Sequence, residues 1–236
     1  MINQIKTTLL LAGLTGILLA IGFSVSGIIG LTIALIIALL LNFLTYWYSD
    51  KIVLFIYRAK PASETKYPQL HEALRELSTR SGLPKPKIYI VPSEHPNAFA
   101  TGRNPKHATV AVTEGILNLL DEDELKGVLA HEMAHIKNKD ILISTIAATI
   151  AGAISYIAII ARFGAFFGNR EERGNIFYLI ALSILDPLIA LIVRMSISRS
   201  REYLADETGA KMLKNANPLA RALAKLDSSA KQSPLK

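Results

Sequence analysis

Apolar positions fall in blocks along this chain. Residues 9–25 (LLLAGLTGILLAIGFSV) and 28–44 (IIGLTIALIIALLLNFL) are two uncharged runs, each close to the roughly 20 residues that cross the hydrocarbon layer of a bilayer. Ser26-Gly27 between them predicts a hairpin. A cleaved signal peptide competes for the first run, because Lys6 precedes it and Ser24 and Ser26 follow; the second run arriving almost at once favours a retained anchor. Tyr46, Trp47 and Tyr48 suit the interfacial belt where the second run leaves the bilayer. Two later runs, 141–161 and 176–193, are expected to cross the membrane as a second pair. Buried core helices are their rival. The former is rich in Ala, Thr and Ser, and the latter carries Asp186-Pro187 midway, an acid that must face protein or water at such depth and a proline that kinks a helix.

Between these blocks the period changes. Pro61, Ser63 and Pro68 mark a linker, and PQLHEALRELSTRSG, from Tyr67, reads as an amphipathic helix closed by Gly82. Ile88–Val91 predicts a short strand, and the turn Gly102-Arg103-Asn104-Pro105 leads to the alternating strand ATVAVT. DEDELKGVLAHEMAHIKNKD then has an acidic start, Leu125, Val128, Leu129 and Met133 at helical spacing, and lysines near its end. The run from Ile141 continues this helix or resumes after a break at Asn138. The fold class is mainly α with a small β-sheet, joined to integral membrane helices.

Composition sharpens this reading. Hydrophobic residues make up 51% of the 236 and mean hydropathy is +0.34, high for a soluble globule. The net charge of +7 gathers at the ends of the apolar runs: Lys51, Arg58 and Lys60 after the second, Lys137 and Lys139 before the third, Arg194, Arg199 and Arg201 after the fourth. By the positive-inside rule, both termini and residues 47–140 face the cytoplasm, although Arg162, Arg170 and Arg173 lie in the loop that would face out. This placement speaks for attraction to an anionic lipid bilayer and against nucleic acid as partner. Cysteine is absent, so a bound metal must be held by His, Asp or Glu.

LAHEMAHIKNKD carries candidate chemistry. His131 and His135 lie one turn apart, and on a helix both imidazoles reach one zinc ion while Glu132 faces the open coordination position as general base. A coincidental HExxH is the bland alternative, and a third ligand separates the two. No histidine follows His135, so that ligand should be a later carboxylate. SRSREYLADETGAKML offers Glu202, with Asp206 one turn on to accept a hydrogen bond from the back of a ligand histidine; surface pairing with Arg199, Arg201 and Lys211 is the competing role. Arg199, Arg201 and Tyr203 are candidate oxyanion donors, of which one or two at most can face the metal. Asn97 and Ala98 open a strand that could bind extended polypeptide by β-addition, a plain hairpin edge being the equal alternative. His71, His95 and His107 read as ordinary. An intramembrane protease also uses HExxH, but here Asp121–Glu124 precede the motif and Lys137, Lys139 and Asp140 follow it, which puts the metal near the membrane surface.

NAFATGRNPKHATVAVTEGIL, HEMAHIKNKDILISTIAATIAGAI and SRSREYLADETGA, in that order, resemble the HtpX family of membrane zinc metallopeptidases, gluzincin-type enzymes with the CaaX prenyl-protein proteases as distant relatives. The resemblance runs from the hairpin to about Leu226. It implies a zincin-like cytoplasmic metallopeptidase domain, one Zn²⁺ on His131, His135 and Glu202, Glu132 as general base and Asp206 as support. It also implies ATP-independent cleavage of damaged or misassembled membrane proteins, a quality-control and stress-response role at the inner membrane. Members usually continue with a further helical stretch holding an HPP-like segment, whereas this sequence stops at KLDSSAKQSPLK; the cleft wall or donor supplied there is expected to have no counterpart here. The expected organisation is residues 1–46 as hairpin, 47–140 as cytoplasmic catalytic part, 141–193 as second apolar pair, and 194–236 as cytoplasmic helix with the third ligand. A catalytically silent adaptor that binds client proteins is the alternative to an endopeptidase.

Overall fold

The computed structural model describes residues 2–147, 150 and 199–232. The expectations for 151–198, which include most of the third run, the loop at 162–175 and all of the fourth, lie outside the described residues. Two compact units emerge, one of residues 1–47 and 146–198, the other of 48–145 and 199–236.

Helix α1 (Ile2–Ile56), which belongs to the first unit up to Trp47 and to the second from Tyr48, is broken at Ser26 and Gly27, where Gly27 has φ +57° and ψ −133°. That conformation suits a residue without Cβ, and it turns the chain into the hairpin foreseen from Ser26-Gly27. The arms meet closely. A Cβ on Gly22 would lie 2.4 Å from the Gly30 carbonyl oxygen, so the crossing requires glycine there. Asn42 Nδ2 donates to Thr15 Oγ1 at 2.8 Å across the same pair. Beyond the break, Ser26–Ile56 is long and apolar enough to cross a membrane. Ile28, Ile29, Ile36, Leu39 and Phe43 are exposed on it, a continuous apolar surface that water would penalise.

The second unit is built on a four-stranded mixed sheet. Strands β1 (Lys60–Pro61), β2 (Lys87–Val91), β3 (Ala98–Gly102) and β4 (Ala108–Thr113) lie in the order β1-β2-β4-β3. β2 and β4 are parallel, with Ile88 opposite Val110, while β3 runs antiparallel to β4 as an edge, with Ala100 opposite Val110. The linker expected around Pro61 thus contributes a short edge strand, a site where a missing N–H is tolerated. Every residue of β4 is buried, because both faces are covered. Ala108, Val110 and Val112 meet the main core, and Ala111 joins Val91 and Leu54 from the last turns of α1.

Helix α2 (Pro68–Ser81) starts on proline and stops at Gly82, whose left-handed φ of +71° closes it as predicted. Its Leu70, Leu74 and Leu77 are buried in the main core. A six-residue helix α3 (Glu114–Leu119), not foreseen in the sequence, follows β4 because Thr113 Oγ1 accepts from the Ile116 amide. Helix α4 (Glu122–Lys137) begins with a reciprocal capping box: Glu124 N donates to Asp121 Oδ1 and Asp121 N to Glu124 Oε2. It ends at Asn138, and Lys139 at φ +60° turns the chain before helix resumes at 141, the broken alternative of the two foreseen. Helices α5 (Arg199–Leu213) and α6 (Asn217–Gln232) pack against α4.

Candidate metal centre

Helix α4 sets the geometry. Leu129, Met133 and Ile136 are fully buried in the core, and this anchors the helix with His131 and His135 turned towards α5. The two imidazole rings stand nearly perpendicular, centroids 4.7 Å apart. On α5, Glu202, Asp206 and Gly209 share one face by helical spacing. Gly209 lies against the α4 backbone at Ala130–His131, where an added Cβ would sit 3.1 Å from the His131 nitrogen. This close approach lets short acidic side chains on α5 reach the histidines of α4.

His131 Nε2 and His135 Nε2 are 3.1 Å apart, and each is 3.5 Å from Glu202 Oε2. Behind them, His131 Nδ1 bonds Asp206 Oδ1 at 2.8 Å and His135 Nδ1 bonds Asp140 Oδ2 at 3.1 Å. Ionised carboxylates only accept, so each Nδ1 carries the proton and each Nε2 presents a lone pair to the same point. Two lone pairs and a carboxylate oxygen facing one another repel unless a cation lies between them. The separations fit one: donors about 2.0–2.1 Å from a tetrahedral zinc lie roughly 3.3 Å from each other. His131, His135 and Glu202 therefore form a group able to hold a metal ion.

Electrostatics divides the histidines. Burial, joined by the charge of His135, pushes the pKa of His131 down, with Asp206 and Glu202 opposing. Burial also resists charge on His135, but the Asp140 hydrogen bond and the charges of Glu132, Asp140 and Glu202 outweigh it, and its pKa is raised. Glu132 is 8% exposed. Burial drives its pKa up to about 7, with Glu202 and Asp140 adding to the rise while His135 and a hydrogen bond from the Ala100 amide offset part of it. A carboxyl so placed exchanges a proton near neutral pH.

Asp140 was missed in the sequence. It is 3% exposed, and its Oδ1 has no hydrogen-bond partner among the described residues. Its distance from His135 fits no helical spacing, since the helix has ended; the left-handed turn at Lys139 brings it back. Other expectations find their places. Asn97 pairs with Thr113, its amide donating to Thr113 Oγ1 and its carbonyl accepting from the Thr113 amide. Ala98 follows at the start of edge strand β3, alongside Ala100, whose amide meets Glu132. His71 bonds the Ala62 carbonyl oxygen and Lys85, and His107 bonds Asn104 within a 3-10 turn. His95 is exposed beside a groove of about 420 Å³ between residues 94–97 and α6. Tyr203 is 70% exposed, which gives it little support as an oxyanion donor.

Comparison with known proteins agrees with this geometry. Residues 64–233 match Peptidase family M48. The chain is similar to the protease HtpX homologues of Desulforapulum autotrophicum, 53% identical over 99% of this chain and 77% of the relative, and of Aquifex aeolicus, 55% identical over 93% and 75%. The homologue of Pyrococcus furiosus is 51% identical over 98% and 81%. Among solved structures, S. mikatae Ste24p shares the fold with a TM-score of 0.52 and 22% identity, over 94% of this chain and 58% of that one. M48 enzymes are metal-dependent, and the facing donors of α4 and α5 meet that requirement: the chain belongs to peptidase family M48 and is a metallopeptidase.

Proposed function

We propose that the chain is a membrane-anchored zinc endopeptidase of protein quality control, cleaving misfolded or damaged membrane proteins. His131, His135 and Glu202 hold the ion, and Asp206 and Asp140 fix the histidine tautomers. Zinc, when bound, supplies a Lewis acid and acidifies water. Glu132 takes the proton of the attacking water on its carboxylate and passes it to the leaving amine. The Ala100 amide holds that carboxylate in place.

Edge strand β3 supports a polypeptide substrate. The Ala100 amide meets Glu132 and the Gly102 amide meets Thr145 Oγ1 at 3.2 Å, so alternate backbone groups turn away from β4. By that alternation the N–H and C=O of Ala98 face the open edge, ready for an extended chain. Asn97, its backbone engaged with Thr113, lines the groove between residues 94–97 and α6. The apolar helix Ser26–Ile56 supports anchorage. The charge pattern supports an inner-membrane, multi-pass topology, with residues 1–46 and 141–193 in the bilayer and 47–140 and 194–236 in the cytoplasm.

One observation carries the reading: Glu202, far along the chain, lies 3.5 Å from both His131 and His135. Glu202→Ala should lose bound zinc, measured by elemental analysis of the purified protein. Glu132→Gln should keep zinc and lose cleavage of unfolded casein by roughly 10²–10⁴-fold. Full zinc in Glu202→Ala would remove that ligand, and equal cleavage by Glu132→Gln would remove the base.

A further inference from the structure

Away from the metal centre, the last turns of α1 carry a second feature. Lys51, Leu54, Phe55 and Arg58, with Ala59 and Tyr89 of β2, line a groove of about 440 Å³. Leu54 closes its floor against Val91 and Ala111 of the sheet. The rim is cationic. The Lys51 ammonium rests 5.0 Å from the Tyr48 ring centroid. Phe55 is 83% exposed and Ile56 and Tyr57 about half so, an apolar surface adjoining the two cations.

Its position along the helix says what covers it. Counting about 20 residues from Gly27 brings the hydrocarbon boundary to Tyr46, Trp47 and Tyr48. Lys51 follows roughly 6 Å further along the axis. That is the depth of lipid phosphates in a bilayer whose core of about 30 Å lies within a total of about 40–45 Å. A long side chain lets Arg58 reach back to the same level.

We propose that this groove binds the headgroup of an acidic phospholipid, its phosphate between Lys51 and Arg58, its headgroup alcohol over Phe55 and Tyr89, and its acyl chains running back past Tyr48 into the hydrocarbon. A net-negative headgroup is favoured over a zwitterionic one, because the described residues that line the groove include two cations and no acid to receive a choline. The site rests on the membrane anchorage proposed above and is independent of the metal centre.

Native mass spectrometry of the full chain, released from detergent with equal amounts of phosphatidylglycerol and phosphatidylcholine, tests it. The expected result is phosphatidylglycerol retained several-fold over phosphatidylcholine, a preference lost in Lys51→Gln/Arg58→Gln and kept in the charge-preserving Lys51→Arg/Arg58→Lys and in the distant Lys106→Gln. Equal retention of both lipids, or an unchanged preference in the Gln pair, overturns the site. Displacement of phosphatidylglycerol by an equal concentration of inorganic phosphate would assign the groove to free phosphate instead. Failure of the chain to float with vesicles would overturn the anchorage and the lipid site together, while zinc content reports on the metal centre separately.

Discussion

Asp140→Asn tests how the buried acid behind His135 sets the metal centre. The substitution keeps the size of the side chain and an oxygen able to accept from Nδ1, but removes a charge that is 3% exposed. Loss of a carboxylate behind a ligand histidine typically weakens metal binding about 10–100-fold, or about 1.4–2.7 kcal/mol. Asp206, behind His131, gives the comparison. Its bond is shorter, 2.8 against 3.1 Å, but its side chain is 42% exposed. Two effects therefore compete, and their magnitudes decide. At a separation of about 5 Å, a unit charge contributes roughly 3 kcal/mol at an effective dielectric constant of about 20 and under about 1 kcal/mol in water, whereas a 0.3 Å change in distance alters either by less than about a tenth. Burial wins, so Asp140→Asn should cost more affinity than Asp206→Asn. Zinc competition against a fluorescent chelator near neutral pH, with surface Glu207→Gln as control, reads both. Affinity within twofold of the parent for Asp140→Asn, or a greater loss in Asp206→Asn, would refute the reasoning.

Zinc affinity itself should fall with pH, because His135 has a raised pKa and a proton on its Nε2 excludes the metal; chelator competition across the acidic range should show it, and a flat profile would contradict it. Glu76 ties Lys126 of α4 and Arg80 of its own helix, and the Lys126 hydrogen bond lowers its pKa. A depressed carboxylate stabilises above its unfolded pKa and loses that contribution as pH falls through its folded one. Glu76→Gln should therefore be less stable near neutral pH by about 0.5–1 kcal/mol, with the gap closing below about pH 4 in chemical denaturation. In Gly127→Ala the new Cβ would lie 2.6 Å from the Leu219 backbone nitrogen. Despite alanine's helix preference of about 1 kcal/mol, α6 must shift, for a net loss of about 1–3 kcal/mol by thermal unfolding; unchanged stability would mean that α6 yields freely.

Much of this protein is written locally. Apolar runs long enough for a bilayer, the Ser26-Gly27 joint, the Gly82 stop and the acidic start of α4 depend on neighbouring residues, so their spacing alone determined hairpin, helix ends and the HExxH face. That Glu202 would lie beside the histidines was legible because two imidazoles alone would leave a metal site one carboxylate short, and Asp206 because it lies one helical turn away. Tertiary structure decided what local spacing cannot encode. Pro61 became an edge strand only because β2 lies beside it. All of β4 is buried because α1 and the main core cover opposite faces. Asp140 reaches His135 because a left-handed residue reverses the chain where helical periodicity has ended. The distance from Glu202 to the imidazoles follows from a glycine on α5 that lets two backbones nearly touch. That approach joins residues far apart in the chain, and the pattern around either residue leaves it unspecified.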